Sequence, residues 1–130
     1  MSSAVIDAGV AIAWLQGRPR SRAKLDRLFR ACREGRTELV ISVVNLAEVL
    51  IHTADLARET GVDVIALLAA SRVRVHPPDE AVARRVARLQ TSLADGFAAA
   101  TAQELGARLH TTDAELVRQL RGARLAITRY

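Results

Sequence analysis

The chain has 130 residues, which is enough for one compact domain and leaves little room for a second. Half of the residues are hydrophobic and a quarter are charged, a balance that is typical of globular domains and excludes a disordered chain. A single cysteine excludes an intramolecular disulfide. The first apolar run is short and contains Asp7, so we expect neither a signal peptide nor a membrane span. We therefore expect one domain over residues 1–130, located in the cytoplasm.

The positive charge is concentrated in one segment, residues 18–36. This segment holds eight basic and two acidic residues, so it carries more than the whole net charge of +5. Such a patch suits a polyanion or an acidic partner protein, although a solvated helix face can have the same composition. The candidate contacts for RNA or for a partner protein are Arg18, Arg20, Arg22, Lys24 and Arg27.

Short strand-like runs alternate with longer helical segments along the whole chain. In chain order the pattern predicts a strand at Ala4–Asp7, helices from about Ala8 and over Leu25–Arg33, a strand at Leu39–Ser42, helices over Val43–Ala57 and Val64–Ala70, a strand at Arg72–His76, helices over Glu80–Ser92 and Gly96–Leu105, a weaker strand at Arg108–Thr111, a helix over Ala114–Leu120 and a weaker strand at Arg124–Thr128. This alternation predicts an α/β fold with a mostly parallel sheet covered by helices on both faces.

Polar residues follow several of the predicted strands. Asp7 follows the first strand, Asn45 and Glu48 lie in the helix after the second, and Asp113 follows the fourth. Asp95 opens the helix that leads into the fourth strand. Because ligands bind at the carboxyl ends of strands in an open parallel sheet, we expect these carboxylates to converge on one edge.

Each of the four acids also has an ordinary structural interpretation. Asp7 and Asp95 sit where helix N-caps are expected, and Asp is a favoured cap. Asp113 follows Thr112, which forms a Thr-x-x-Glu capping box with Glu115 and would put Asp113 at the first helical position. These interpretations account for single residues but leave several like charges crowded at one edge.

Glu48 lies on a helix whose apolar face is predicted to run through Val43, Leu46, Ala47, Leu50 and Ala54. Asn45 and Glu48 are three residues apart and share a different face. A solvent-exposed glutamate is the ordinary alternative, so the pairing with Asn45 is what indicates a functional role for this carboxylate.

A divalent cation would relieve the repulsion within such an acidic cluster. Mg²⁺ and Mn²⁺ are hard ions that bind carboxylate and water oxygens. Zinc is disfavoured because Cys32 is alone and the three histidines, at positions 52, 76 and 110, are scattered. The residues therefore predict a Mg²⁺ or Mn²⁺ site.

Four segments resemble the PIN-domain family, specifically the small VapC-type toxin ribonucleases of bacterial toxin–antitoxin pairs. The segments are Val5-Ile6-Asp7-Ala8-Gly9-Val10, Asn45-Leu46-Ala47-Glu48-Val49, Leu93-Ala94-Asp95-Gly96-Phe97-Ala98-Ala99-Ala100-Thr101-Ala102 and Leu109-His110-Thr111-Thr112-Asp113. No single segment is specific, but the four occur in the family's order over nearly the whole chain.

The resemblance implies a three-layer α/β/α sandwich and metal-dependent endonucleolytic cleavage of RNA. It implies that Asp7, Glu48, Asp95 and Asp113 form the acidic quartet that holds Mg²⁺ or Mn²⁺, and that Thr112 supports the site through its hydroxyl. It also implies a small antitoxin partner whose tail covers the site, and a homodimer.

The chain departs from the family pattern at Gly9, where Ser or Thr is usual. The loss of a hydroxyl beside the metal site can weaken metal affinity. An RNA- or protein-binding module with little or no nuclease activity is therefore the competing hypothesis. A receiver-like or flavodoxin-like domain is disfavoured because Pro77 and Pro78 follow the third strand and Lys24 is the only lysine.

Overall fold

Five parallel strands form the central sheet of the computed structural model, which describes residues 1–130. The strands are β1 (Ser2–Ile6), β2 (Thr37–Ser42), β3 (Arg74–His76), β4 (Arg108–Thr111) and β5 (Ile127–Arg129), and their spatial order is β3-β2-β1-β4-β5. Helices cover both faces of the sheet. The predicted three-layer α/β/α fold is confirmed, and the sheet is parallel throughout.

Eight α-helices connect and cover the strands. They are α1 (Ala8–Gln16), α2 (Arg22–Arg33), α3 (Val43–His52), α4 (Ala54–Thr60), α5 (Val64–Ala70), α6 (Glu80–Leu89), α7 (Leu93–Leu105) and α8 (Ala114–Gln119), with one 3-10 turn at Pro19–Ser21. None of these helices combines the length and the apolar composition that a membrane crossing requires.

Alternate residues of the strands point to opposite faces of the sheet and pack into two separate hydrophobic cores. On β1, Ala4 and Ile6 pack into a cluster with α1, α2, α3 and α5, which contains Phe29. Val5 faces the opposite side, where α7 and α8 supply small and branched side chains such as Ala98 and Leu116. Alanines in α7 allow that helix to lie close to the sheet, because they present little side-chain volume.

The predicted helix over Val43–Ala57 is wrong in its extent, because the structure divides it at Thr53. The Thr53 hydroxyl donates to the Val49 carbonyl at 2.7 Å, and a new helix begins at Ala54. The predicted apolar face is also wrong. Asn45, Leu46 and Val49 are the buried residues of α3, whereas Val43, Ala47 and Leu50 are exposed. The predicted bounds of α5 and β4 are confirmed.

Other boundaries differ for local backbone reasons. Gln90 adopts a left-handed φ of 55° and ends α6 before the predicted Ser92, and Arg72 at φ 62° delays β3 to Arg74. The segment before β5 forms a turn, in which Leu125 N–H donates to the Ala123 carbonyl, so the last strand begins only at Ile127. Helices α2 and α7 each begin three residues earlier than predicted.

The strand order reverses at β1. The chain moves to β2 on one side of β1, and later returns to β4 on its other side. Asp7 lies directly after β1, and its N–H continues the ladder by donating to the His110 carbonyl at 3.1 Å. Asp7 therefore occupies the switch point at the carboxyl edge, which is where α/β sheets bind ligands.

Candidate active site

A pocket of about 140 Å³ opens at this switch point. All four predicted acidic residues line it, together with Ala8, Gly9 and Thr112; the acids are Asp7, Glu48, Asp95 and Asp113. They come from four different elements of the fold, so the packing of the sandwich is what brings them together. The volume is enough for a cation with a few water molecules, at roughly 30 Å³ for each water.

Asp7 is the buried member of the group, with 5% of its surface exposed. It is the N-cap of α1, and its Oδ1 accepts from the Val10 N–H at 2.8 Å. Its other oxygen, Oδ2, accepts from the Thr111 hydroxyl at 2.5 Å. Asp7 can therefore cap α1 and serve a functional site at the same time. One of its oxygens caps the helix, and the side chain lines the pocket.

The environment of Asp7 opposes its negative charge. Burial is the main cause that raises its pKa from the usual 3.8 to about 6, and the charges of Asp95 and Asp113 add to the effect. The hydrogen bonds from Thr111 and Val10 act in the opposite direction. A perturbed carboxyl in a polar cleft is typical of functional sites, and a cation in the pocket would stabilise the ionised form.

Glu48 is held by its neighbour one helical turn earlier. The Asn45 amide donates to Glu48 Oε1 at 3.0 Å and to the Ala94 carbonyl at 3.0 Å. Asn45 is buried, and its own Oδ1 has no hydrogen-bond partner. This one side chain therefore orients Glu48 and ties α3 to the first turn of α7, which carries Asp95.

Asp95 is the third residue of α7, not the residue that opens it, so the predicted helix start at Gly96 and the N-cap interpretation are wrong. Ser92 is the N-cap, and its Oγ accepts from the Asp95 N–H at 3.4 Å. The same hydroxyl donates to Asp95 Oδ2 at 2.8 Å. The Ser92 hydroxyl therefore caps the helix and also holds the Asp95 carboxylate, which lines the pocket.

Asp113 is the N-cap of α8, so the predicted Thr112–Glu115 capping box is wrong. Its Oδ1 accepts from the Glu115 and Leu116 N–H groups at 2.9 and 3.3 Å. Its own N–H donates to Thr111 Oγ1 at 3.0 Å. Thr111 thus receives a bond from Asp113 while it donates to Asp7, and this links two of the four acids.

Thr112 fills the space left by the missing side chain of Gly9. A Cβ atom built on Gly9 collides with the Thr112 hydroxyl oxygen, and it lies 3.4 Å from Asp7 Oδ1. The Thr112 hydroxyl is therefore located where a serine or threonine at position 9 would begin its side chain. Because residue 9 is glycine, the hydroxyl in this part of the pocket comes from Thr112, which follows β4, the neighbour of β1 in the sheet.

The donors of the pocket fit a hard divalent cation. They are carboxylate and hydroxyl oxygens, with no cysteine or histidine among the lining residues. As the side chains lie, no three of the acids are close enough together to form a ready-made ligand group. This spacing agrees with the mutual repulsion that contributes to the raised pKa of Asp7.

The basic segment does not form one surface. Arg22 pairs with Asp26 and lines a pocket with Ala13, Trp14 and Leu25 on one side of α2. Lys24 lies on the other side, where its Nζ donates to the Arg129 carbonyl at 2.7 Å. Of the five predicted contact residues, Arg20, Lys24 and Arg27 are near the end of β5, whereas Arg18 contacts Gln16.

Sequence reasoning missed two hydroxyls that hold the acids in place, those of Thr111 and Ser92. Ser92 stands three residues before Asp95, and this Ser-x-x-Asp spacing was a usable capping signal. Thr111 and Thr112 are adjacent and chemically identical, and only the direction of each side chain at the end of β4 separates their contacts.

The fold and the acidic pocket together define a PIN-like domain. The PIN domain family matches residues 4–121, which is most of the chain. The chain therefore belongs to the PIN-domain family, whose members are typically nucleases. No curated protein sequence matches the chain.

Solved structures show the same fold at low sequence identity. A toxin–antitoxin complex from Klebsiella pneumoniae aligns with a TM-score of 0.71 at 20% identity and covers 98% of each chain. DNA-bound VapBC from Salmonella typhimurium aligns with a TM-score of 0.73 at 20% identity, over 99% of this chain and 98% of the other. VapC20 from Mycobacterium tuberculosis, described as a sarcin–ricin loop cleaving toxin, aligns with a TM-score of 0.65 at 16% identity, over 98% and 99%.

Proposed function

We propose that the chain is an endoribonuclease of VapC type that cleaves RNA with the help of Mg²⁺ or Mn²⁺. The observation that carries the proposal is the convergence of four acidic side chains, from four separate elements, on one pocket at the switch point of a PIN fold. Oxygen donors of this kind suit a hard cation and its bound water. The proposal extends the family's typical nuclease activity to this chain.

The four carboxylates have different parts in this proposal. Asp7 and Asp95 would be the main ligands of the cation, and Glu48 and Asp113 would contribute directly or through water. When bound, the cation supplies a water of lowered pKa and neutralises the charge that develops on the phosphate. Thr111 favours the ionised form of Asp7 through its hydrogen bond, and in this form the carboxylate can act as a ligand.

Neighbouring polar side chains keep the carboxylates in place. Asn45 holds Glu48, and Ser92 holds Asp95, each through one hydrogen bond of about the normal length. Thr112 supplies the hydroxyl that Gly9 lacks. Such supporting contacts orient ligands, and their loss typically costs about 10–100-fold in metal affinity or activity.

The proposed partners follow from the same fold and pocket. The substrate is RNA, and the predicted contacts for its backbone or for the antitoxin are Arg18, Arg20, Arg22, Lys24 and Arg27. The structural relative from Klebsiella is a toxin–antitoxin complex, and the one from Salmonella is a DNA-bound VapBC. We propose for this chain a cognate antitoxin, homodimer formation and a cytoplasmic location.

Cleavage of a structured RNA tests the function. Wild-type protein with Mg²⁺ or Mn²⁺ is expected to cut the RNA at internal positions, and EDTA and Asp7→Ala are each expected to abolish the cuts. A binding module without nuclease activity is the second candidate, and the glycine at position 9 favours it. RNA that is bound tightly in Mn²⁺ and never cut would support that candidate.

A further inference from the structure

Several basic side chains lie near Tyr130, which follows β5. Arg20, Ser21, Arg129 and Tyr130 line a pocket of about 370 Å³, which we call the Tyr130 pocket. The Lys24 ammonium lies 4.5 Å from the centroid of the Tyr130 ring. The positive charge of Arg27 is close enough to the Tyr130 hydroxyl to act on its pKa. Two arginines therefore line the pocket, and two further cations lie near its tyrosine.

None of these four cations has a carboxylate partner. Ion pairs occupy seven other arginines of the chain, namely Arg22, Arg36, Arg58, Arg74, Arg84, Arg85 and Arg118. Arg20, Lys24, Arg27 and Arg129 are exposed and form no ion pair. Unpaired positive charges at a concave surface raise the local concentration of anions.

The Tyr130 pocket and the acidic pocket share the carboxyl edge of the sheet. The Tyr130 N–H donates to the Thr111 carbonyl at 2.9 Å, and the Thr111 hydroxyl donates to Asp7. Strand β4 alone separates β5 from β1, so the ends of these two strands lie roughly 10 Å apart, at about 4.8 Å for each strand spacing. A short oligonucleotide can reach both pockets along this edge.

The lining of the Tyr130 pocket favours a phosphate over an acidic protein segment. Arg20 and Arg129 present planar forks that match phosphate oxygens, and Tyr130 is the one large apolar group. Protein segments use apolar anchors, and these fit the pocket lined by Ala13, Trp14 and Leu25 on the opposite side of α2.

We propose that the Tyr130 pocket binds a phosphodiester group of the RNA strand whose scissile bond lies at the acidic pocket. Arg20 and Arg129 hold the phosphate oxygens, and Lys24 contacts the Tyr130 ring that completes the lining of the pocket. This inference rests on the proposed ribonuclease function, since it assigns a second contact to the same substrate. Within the basic segment, it assigns Arg20 to the contact with the RNA strand and Lys24 to the contact with Tyr130.

Binding of a fluorescein-labelled single-stranded RNA of about twelve nucleotides, in EDTA so that no cleavage occurs, tests the inference. We expect Arg20→Ala/Arg129→Ala to weaken binding about tenfold near 0.1 M salt, and to lower the slope of log K against log salt by about 0.7, because both arginines contact the same phosphate and each phosphate released from a single strand removes about 0.7. Arg30→Ala/Arg33→Ala is the control, because it removes the same charge from exposed, unpaired residues of α2. The control should change binding by less than twofold.

Equal losses in both double variants would overturn the inference, because net charge alone would then explain binding, and so would no loss in either. Displacement of the RNA by poly-L-glutamate as readily as by unlabelled RNA would indicate an acidic protein ligand instead. With Mn²⁺, the variant is expected to raise KM for cleavage and leave kcat unchanged. If wild-type protein cleaves nothing but the binding pattern holds, the ribonuclease proposal fails and the RNA pocket stands.

Discussion

The hydroxyl group of Thr112, at the end of β4, occupies the space that a side chain on Gly9 would enter at the start of α1. Gly9 is a helical residue, where glycine is about 1 kcal/mol less favourable than alanine. Its presence here is explained by this contact, because the two positions share one volume. The family's usual hydroxyl residue at position 9 and the Thr112 side chain, as it is oriented here, exclude each other.

The effect of Gly9→Ala on the free energy of unfolding should therefore have opposite signs when residue 112 is threonine and when it is alanine. In the wild-type chain we expect Gly9→Ala to lower the free energy of unfolding by about 1–2 kcal/mol, since the new Cβ displaces the Thr112 hydroxyl. In a Thr112→Ala background the same substitution should stabilise the protein, because the remaining Cβ at position 112 lies at an ordinary contact distance of 3.5 Å. Urea unfolding of the four proteins measures both effects, and the same sign in both backgrounds would refute the shared volume.

Thr111→Val tests the link between Asp7 and Asp113. Thr111 is buried, and its hydroxyl donates to Asp7 and accepts from the Asp113 N–H. Its removal should cost about 1–3 kcal/mol and raise the pKa of Asp7 above 6, because the lost hydrogen bond favours the carboxylate. The pKa is followed through the NMR signal of the Asp7 carboxyl carbon.

Thr101→Val is the matched control for that substitution. Thr101 is also fully buried, but its hydroxyl has no hydrogen-bond partner. We expect this variant to be as stable as the wild type or more stable, with the pKa of Asp7 unchanged. Equal destabilisation by the two substitutions would mean that the Thr111 hydrogen bonds contribute nothing particular to the site.

The raised pKa of Asp7 predicts that its charge destabilises the protein without metal. Below pH 4 the carboxyl is protonated in both the folded and unfolded states and has no effect. Between about pH 4 and 6 the folded state binds more protons, so stability falls as the pH rises, and above pH 6 the cost is complete. A shift from 3.8 to about 6 corresponds to at most about 3 kcal/mol.

Asp7→Asn should therefore stabilise the protein in EDTA at pH 7.5, and the gain should shrink toward pH 4. Asparagine also caps helices, so the cap of α1 is retained. Asp79→Asn is the control, because Asp79 caps α6 through the same bond, from the Val82 N–H at 3.0 Å, outside the pocket. A pH-independent effect of Asp7→Asn, equal to that of Asp79→Asn, would contradict the assignment.

His110 is expected to produce the opposite pH dependence in the same range. Burial, with the charges of Arg108 and Lys24, lowers its pKa from 6.5 to about 4. As the pH falls from 6.5 to 4 the unfolded state binds the proton first, so stability decreases. The two groups partly offset each other in the wild type. Thermal unfolding should show that Asp7→Asn loses stability over this range, whereas His110→Gln gains stability; parallel profiles would show that these pKa shifts are absent.

The fold and the acidic edge could be predicted because both depend on local patterns. Strand-like runs alternate with helical ones, and the polar residues that follow the strands mark the carboxyl edge. The sequence alone therefore predicts that Asp7, Asp95 and Asp113 lie near one another. Residue spacing on α3 likewise paired Asn45 with Glu48.

The contacts that hold the acids could not be predicted, because they depend on side-chain direction and on distant parts of the chain. The capping of α8 by Asp113 rather than Thr112 is a choice between neighbouring residues, which a capping pattern does not resolve. The Lys24–Tyr130 contact joins residues from α2 and the end of β5, and no periodic pattern relates them. The buried face of α3 contains Asn45, and it shares only Leu46 with the face that apolar residues alone would indicate.

The most direct test of the account is Mn²⁺ binding and RNA cleavage measured on the same four proteins: wild type, Asp7→Asn, Asp95→Asn and Asp79→Asn. We predict that the wild type and Asp79→Asn bind Mn²⁺ and cut a structured RNA in a manner that EDTA abolishes. Asp7→Asn and Asp95→Asn should remain folded, bind Mn²⁺ at least tenfold more weakly, at about 1.4 kcal/mol for each factor of ten, and cut nothing. Full cleavage by Asp95→Asn, or cleavage that persists in EDTA, would contradict the metal-dependent ribonuclease.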